Sequence, residues 1–394
     1  MTNQFEFIKN KVLLEPLELG AHVFATFKFN LSKYTLDLID DIAIGQSVGA
    51  WDTSYVSELE LKKKCARISS VHFMDDEVSV KLAFPWQLWH GRLSWLLTLL
   101  FGKMSFYEGL QLSDIEFSHD CFAPGKLIGP KADINLLREQ TGCEANSPLL
   151  MGILKPNVAM SADQIAHLYA LAADAGCHLI KDDEIRHDAH PSEVLKRIEK
   201  ISVLRQQKNL KTIYAVHMQW QPQIGFDLNH VRSLENAGAQ ALLINVWTDG
   251  LDVLQSIREH TNLPIMAHPA LVGAFGLNNS TATIHPRVTL AQLVRAAGAD
   301  FSLFPSPYGK LGLSADIVNS IARECQVIKT NCRPTIPVPS AGIKPEHAPL
   351  ARRDFGNNFV LNAGTSIFAA GNSENKIRSN INLFKNALYG TANS

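Results

Sequence analysis

Six cysteines, at positions 65, 121, 143, 177, 325 and 332, are scattered with no CxxC pair. Neither a disulfide framework nor a zinc site is therefore indicated, and reduced, mostly buried thiols are expected. Charge of one sign does not predominate: 37 Lys and Arg face 38 Asp and Glu. A nucleic-acid or polyanion partner would normally leave a basic excess, so no nucleic-acid partner is expected. Long apolar runs are also missing. The most apolar stretch, around Leu93–Phe101, is bounded by Arg92 and Lys103 and falls well short of the roughly 20 residues that span a bilayer, so no membrane partner is expected. The opening segment MTNQFEFIKNKVLLEPLELG lacks a cationic start followed by an apolar run. That argues against a signal peptide, and a cytoplasmic location is expected. There is no low-complexity tract.

What the chain does have is length and a regular alternation. Its 394 residues, 46% of them hydrophobic, with a mean hydropathy of −0.01, suit an ordinary globular protein with room for two domains. From about Leu149, short apolar runs alternate with amphipathic helical stretches: LLMGIL, HLIKD, TIYAVHM, ALLINV, PIMAHP, FSLFPS, TIPVPSAG and FVLNAG are each followed by a helical pattern. Eight such units in about 250 residues predict an α/β fold, a (β/α)8 TIM barrel over residues 146–394. An open doubly wound sheet would rarely repeat so evenly. Ser161, with Gln164 three residues on, and Ser192 read as helix caps, and Gly176, Gly238 and Gly298 as helix ends. Residues 1–145 differ. AHVFATFKFN, ARISSVHF and EVSVKLAFP alternate like half-buried strands, WQLWHGRLSWLLTLLFG has helical spacing and LSDIEF reads as a further strand. This pattern predicts an N-terminal α+β domain of ferredoxin-like type, with Phe122–Cys143 as the linker.

A barrel of this kind carries its reacting groups just past the C-terminal ends of the strands. Those positions hold Lys155, Lys181–Glu184, His217, Asn245, His268, Ser306–Lys310, Ser340–Gly342 and Gly364–Ser366. The most specific of them is Lys181-Asp182-Asp183-Glu184. Acidic turns at strand ends are common and often only solvated. Paired carboxylates are also the hard oxygen ligands that Mg2+ takes, usually with substrate and water. A protonated lysine cannot ligate a cation, but an amine carbamylated by CO2 becomes a third anionic oxygen ligand.

GILKPNVAMS followed by AGCHLIKDDE, together with MAHPALVGAF, GADFSLFPSPYGKL, PVPSAGI and RRDFGNNFVLNAG, resembles the RuBisCO superfamily over nearly the whole chain. The resemblance implies that Lys181 is the carbamate, made with CO2, and that Asp183 and Glu184 complete the Mg2+ ligands. Groups that the carboxylases use for CO2 and ribulose bisphosphate are replaced here by Gly45, Ala50, Lys103, Pro269 and Leu303, which argues against CO2 fixation. FGKMS, AHPALVGAF, FSLFPSPYG and VPSAGI are instead similar to the RuBisCO-like 2,3-diketo-5-methylthiopentyl-1-phosphate enolases of methionine salvage. That similarity makes Lys103, which alone would read as a surface lysine after a helix, the catalytic base. It gives Lys155 and His268, otherwise an ion-pair partner and a satisfied core histidine, substrate contacts.

Backbone N–H groups around Ser340, Gly342, Gly364 and Thr365 are expected to cup a phosphate. Three departures from the enolases stand out: GTSIFAAG replaces a glycine-richer loop, His217 replaces an Asn, and Lys310 replaces a small residue. Lys310 is expected to grasp the phosphate. The implied function is Mg2+-dependent enolisation of a phosphorylated diketone by proton abstraction from C1. A homodimer with shared active sites is expected. The alternatives are an isomerase or decarboxylase acting on another phosphorylated keto sugar or sugar acid, and a non-catalytic metabolite binder. The retained Lys103, Lys155 and Lys181–Glu184 argue against the last.

Overall fold

A computed structural model describes residues 20–188, 190–218, 228–276, 282–309, 311–329, 331–369 and 373–390. Two compact units emerge from it. One runs to Ile128 and also takes in Leu271–Leu293; the other comprises Gly129–Ala270 and the residues from Val294 on.

In the first unit, β1 (His22–Asn30), β2 (Arg67–Met74), β3 (Glu77–Pro85) and β4 (Gln111–Phe117) form an antiparallel sheet in the order β4-β1-β3-β2. Alternation makes β1 a half-buried strand, with Val23, Ala25, Phe27 and Phe29 inward. Helices Asp37–Ala43 and Glu58–Lys64 lie between β1 and β2, and Leu93–Phe101 lies between β3 and β4. This βαββαβ order with that strand sequence is the expected ferredoxin-like arrangement. One strand was not foreseen. β10 (Thr283–Ile284), from the segment 271–293, pairs parallel to β4. Two residues are too few to produce a periodic signal. Gln292 fastens the same segment, since its Oε1 accepts from the Ile115 N–H at 3.0 Å and its Nε2 donates to Asp114 Oδ1 at 2.6 Å.

The second unit holds the eight expected parallel strands: β5 (Leu149–Ile153), β6 (Leu179–Lys181), β7 (Ile213–His217), β8 (Ala241–Ile244), β9 (Ile265–Ala267), β11 (Phe301–Pro305), β12 (Ile336–Ser340) and β13 (Val360–Ala363). They run β12-β11-β9-β8-β7-β6-β5-β13. The seam between the end strands is bridged by Asn362 Nδ2 donating to Ser340 Oγ at 2.9 Å. Met151, Leu179, Ala215, Leu243, Met266, Leu303, Val338 and Val360 fill the interior. Two residues further along each strand, the same inward face presents Ile153, Lys181, His217, Asn245, His268, Pro305, Ser340 and Asn362. The core therefore turns polar within one step of the barrel mouth.

At the opposite end, the stretch expected as a linker carries a helix, Ile134–Thr141, capped by Asp133. Its Ile134 and Leu137 pack against Leu149, Ile213, Ala241 and Val360 at the strand starts. The helical i, i+3 pattern there is short and sits among Gly, Pro and charged residues. The Ser161–Gln164 capping box is present. Ser192 is not the cap of its helix. His190 takes that place, accepting from the Ser192 N–H, because Pro191 lacks an N–H and suits the first helical turn. Gly176, Gly238 and Gly298 follow their helices at φ of +103°, +101° and +99°, a backbone conformation with little cost only for glycine.

Buried Asp300 ties the strand starts together. It accepts from the backbone N–H groups of Lys131 (2.7 Å), Ala132 (2.6 Å) and Ile265 (2.7 Å) and from Arg258 Nη1 (2.8 Å). Asp300→Ala leaves a buried guanidinium without its counter-charge and is expected to cost about 3–5 kcal/mol. Urea unfolding would measure this, and a loss under about 1 kcal/mol would show the pair to be dispensable.

Candidate active site at the barrel mouth

Strand alternation divides the Lys181–Glu184 segment into two jobs. Lys181, the last residue of β6, faces inward and is fully buried. Its Nζ donates to Asp182 O at 2.8 Å and reaches Glu184 Oε2 at 3.4 Å. Asp182 faces the other way, between the strands and the helical layer, where four donors meet it. Tyr214 OH (2.6 Å) and Asn157 Nδ2 (3.1 Å) donate to Oδ1, and Arg197 Nη2 (3.0 Å) and the His217 N–H (3.1 Å) to Oδ2. Arg197, from helix Pro191–Gln207, also donates from Nη1 to Asp188 Oδ2 at 2.6 Å and from Nε to Tyr214 OH at 3.0 Å. Burial works to raise the Asp182 carboxyl, but Arg197, Tyr214, the His217 N–H and Asn157 outweigh it and hold the group below the usual range.

Asp183 and Glu184 continue into the mouth. Asp183 Oδ2 is paired with Lys155 Nζ, while its Oδ1 is buried without a hydrogen-bond partner. Burial raises the Asp183 carboxyl against the pull of Lys155, and the adjacent Glu184 charge adds to the rise. Glu184 goes the other way: burial opposes ionisation, yet the charge of Lys181 holds its carboxyl well below the usual range. His268 Nε2 lies 3.4 Å from Glu184 Oε2, and His268 Nδ1 accepts from the Ala270 N–H at 3.3 Å. Burial and the neighbouring Lys181 push the His268 ring down to about 3. The ring is neutral at pH 7, so its contact with Glu184 is not an ion pair. Burial also lowers the Lys181 ammonium, against the charges of Glu184 and Asp183. A neutral amine is the form that reacts with CO2.

These residues suit a hard divalent cation. Asp183 Oδ1 is a buried oxygen lacking a donor, and Glu184 is ionised beside it. Among the described residues no group of three or more His, Cys, Asp or Glu is gathered for a metal.

Lys155, just past β5, links this cluster to the far side of the mouth. A β-carbon at Gly364 would lie 3.3 Å from Lys155 Cε and 3.3 Å from Ile153 Cβ, so glycine lets the lysine stem cross there. Ala341 and Gly342 both take positive φ, +68° and +76°. Ser340 Oγ donates to Val338 O at 2.9 Å. Thr365 opens the short helix Thr365–Phe368, whose first N–H groups have no acceptor within the helix. Ser366 Oγ donates to Ile343 O at 2.6 Å, so that hydroxyl joins the loops after β12 and β13. Lys310 lies outside the described residues. Lys103 is exposed at the start of the 3-10 turn Lys103–Phe106 in the first unit. The second unit thus gathers Lys155, Lys181, Asp183, Glu184 and His268. Sequence reading missed Arg197, Tyr214, Asn157 and Asn362, because nothing marks them among other polar residues of a helix, strand or loop until the neighbouring strands are in place.

No protein-family model matches the chain. A 2,3-diketo-5-methylthiopentyl-1-phosphate enolase from Bacillus licheniformis is 37% identical over 341 residues, covering 83% of this chain and 82% of the relative. Its counterpart from Bacillus velezensis is 35% identical over 361 residues, covering 88% and 87%. Among solved structures, a rubisco-like protein (MtnW) from Alicyclobacillus acidocaldarius is similar at a TM-score of 0.80 and 28% identity, covering 94% of each chain.

Acid stability tests the Asp182 network. A carboxyl depressed in the folded state contributes stability that is fully present above its unfolded value, about 3.9, and is lost as pH falls through the folded value. Tyr214→Phe removes the shortest of the four donors. It is expected to cost about 1–3 kcal/mol at neutral pH and to move the acid-unfolding midpoint upward. An unchanged midpoint would mean that Asp182 is held without Tyr214.

Proposed function

The chain belongs to the 2,3-diketo-5-methylthiopentyl-1-phosphate enolase family of RuBisCO-like proteins, and on that premise we propose that it enolises this phosphorylated diketone in methionine salvage, using Mg2+ and a carbamate on Lys181. The observation that carries the reading is the buried Lys181 amine flanked by Asp183, Glu184 and His268 at a barrel mouth. A structural turn has no need of an amine placed there at such cost in desolvation. CO2 would add to the deprotonated amine with loss of one proton, which would make Lys181 an oxygen ligand beside Asp183 and Glu184. Bound Mg2+ would supply Lewis acidity, polarising the substrate carbonyl and stabilising the developing negative charge.

The protein's own groups do the rest. Lys103 takes the proton from C1. Lys155, between Asp183 and Gly364, faces the developing enolate oxygen with its positive charge. His268, a neutral ring, orients Glu184 and contacts substrate. The N–H groups around Ser340, Gly342, Gly364 and Thr365 receive the phosphate, helped by Lys310. A second reading, an isomerase or decarboxylase acting on another phosphorylated keto sugar or sugar acid, is favoured by one observation. Ser366 is tied to Ile343 O, so the loop after β13 is not an open glycine cradle.

Purified protein, incubated with bicarbonate and Mg2+, should turn over the diketone phosphate and not methylthioribulose-1-phosphate. The reverse preference would favour the second reading. Activity should vanish in CO2-free, chelated buffer and in Lys181→Ala, whose circular dichroism should stay that of the parent. Full activity without CO2 or metal would rule out the carbamate. We further propose a homodimer in which Lys103 of one subunit serves its neighbour's barrel. Mixing inactive Lys103→Ala and Lys181→Ala chains should then restore about a quarter of parental activity, since random pairing makes half the dimers mixed with one intact site each. No recovery on mixing would place Lys103 in its own subunit's site. Lys310→Ser should lower kcat/KM by about one to two orders of magnitude, mainly through KM, as expected for a lost charge-assisted phosphate contact. Unchanged kinetics would make Lys310 a solvated loop residue.

A further inference from the structure

Besides the adjacent Asp183 carboxyl, Glu184 has only loose support from the amine and the ring beside it: its contacts with Lys181 Nζ and His268 Nε2 are both 3.4 Å. It also lies in an irregular stretch between β6 and the helix that begins at Pro191. Something other than its own side-chain partners must hold its backbone. On the inner face of the barrel, β7 ends in His217 and Asn245 directly follows β8, and three hydrogen bonds connect this pair to the Glu184 segment. His217 Nδ1 lies 2.8 Å from Arg186 O, Asn245 Nδ2 lies 3.2 Å from His217 Nε2, and Asn245 Nδ2 donates to Glu184 O at 3.1 Å.

The protons can be assigned from the partners. A carbonyl only accepts, so His217 Nδ1 carries the hydrogen, and Nε2 of the neutral ring is left to accept from the Asn245 amide. Turning the Asn245 amide over would set its oxygen against two acceptors, Glu184 O and His217 Nε2. The orientation is therefore locked, even though it leaves Asn245 Oδ1 buried without a partner. The carbonyls of Glu184 and Arg186 straddle Ile185, whose side chain is exposed, while the Arg186 guanidinium ties the far side of the segment to the carbonyls of Asn157 and Met160.

We propose that His217 and Asn245 are positioning residues that clamp the Glu184–Arg186 backbone and so fix where the Glu184 carboxylate points. His217 acts on Glu184 through Asn245. This inference rests on the reading of Glu184 as a metal ligand only for its consequence; the clamp itself is a matter of backbone geometry.

Two substitutions separate its halves. In His217→Asn, the amide nitrogen can stand in for Nδ1 and keep the bond to Arg186 O, but nothing replaces the acceptor for Asn245. In His217→Gln, the side-chain oxygen can stand in for Nε2 and keep Asn245 aligned on Glu184 O, while the bond to Arg186 is lost. Mn2+, which suits the same carboxylate ligands as Mg2+, is the probe. It is titrated into the full-length protein with bicarbonate and followed by electron paramagnetic resonance. Hydrogen exchange across residues 184–188 is measured on the metal-free protein. His217→Asn should bind Mn2+ about tenfold more weakly, as for one lost buried hydrogen bond, and should exchange faster at 184–188. His217→Gln should stay close to the parent in Mn2+ affinity. Adding Asn245→Leu to His217→Asn should bring no further loss of affinity, because the two act in series.

A merely structural histidine would lower the melting temperature in both variants without ordering their Mn2+ affinities, and that result would overturn the clamp. Parental exchange at 184–188 in His217→Asn would overturn it whatever the metal does. Faster exchange in His217→Asn, in a parent protein that binds no Mn2+, would support the clamp and overturn the metal reading instead.

Discussion

The candidate site hangs on one buried carboxylate. Asp182 is fully enclosed, and taking its charge out of water would cost several kcal/mol if nothing answered it. Four donors do so, from Arg197, Tyr214, Asn157 and the backbone of His217. They come from a loop, one strand and a helix, so the carboxylate at the end of β6 draws β7, the loop after β5 and helix Pro191–Gln207 to one point. Arg197 extends the network to Asp188, which also receives Arg186 Nη2 at 2.7 Å. The irregular segment from Asp182 to Asp188 thus has its two ends bound to the same guanidinium.

That anchorage lets its neighbours do something a packed core does not tolerate. Along an extended strand end, side chains alternate, so fixing Asp182 outward turns Lys181 inward and brings Asp183 and Glu184 round to the mouth. There an amine, two carboxylates, a second lysine and an imidazole are crowded together in low dielectric. Their proton affinities part accordingly: Glu184 is driven down by Lys181, Asp183 is driven up by burial and by Glu184, and His268 is driven neutral. Groups whose affinities are pushed apart by mutual contact are what acid–base chemistry requires. They persist here because the network beneath them is closed.

Glycines shape the remaining side of the mouth. Lys155 reaches Asp183 across Gly364, where a β-carbon would crowd its stem. A further glycine, Gly309, lies so close to the carbonyl of Ala341 that a side chain would collide with it, which packs the loop after β11 against the loop after β12. Tyr308 adds a tether by donating its hydroxyl to Asp354. This side of the mouth is thus built by close backbone approach, which only residues without a side chain allow at Gly309 and Gly364.

Much of this was legible beforehand. Eight apolar runs with helical patterns between them specify a barrel, because a parallel strand buried on both faces must be apolar and its crossover must be an amphipathic helix. The same rule locates the mouth, so Lys155, Lys181, Asp183, Glu184 and His268 could be named from their positions at strand ends. Period-two strands and one helical run likewise specify the βαββαβ unit. Tertiary structure alone decided the rest. That Asp182 turns away from its two acidic neighbours follows from which face of β6 meets Arg197, fifteen residues later in the chain. Helix Ile134–Thr141 and β10 were equally hidden, and His217 and Asn245, though named at strand ends, gave no sign of meeting each other. The two elements are too short to set up a period, and all of these take their roles from partners distant in sequence. Local pattern reports which residues avoid water; only the assembled strands determine which polar groups meet, since a hydrogen bond acts over about 3 Å whatever the separation along the chain.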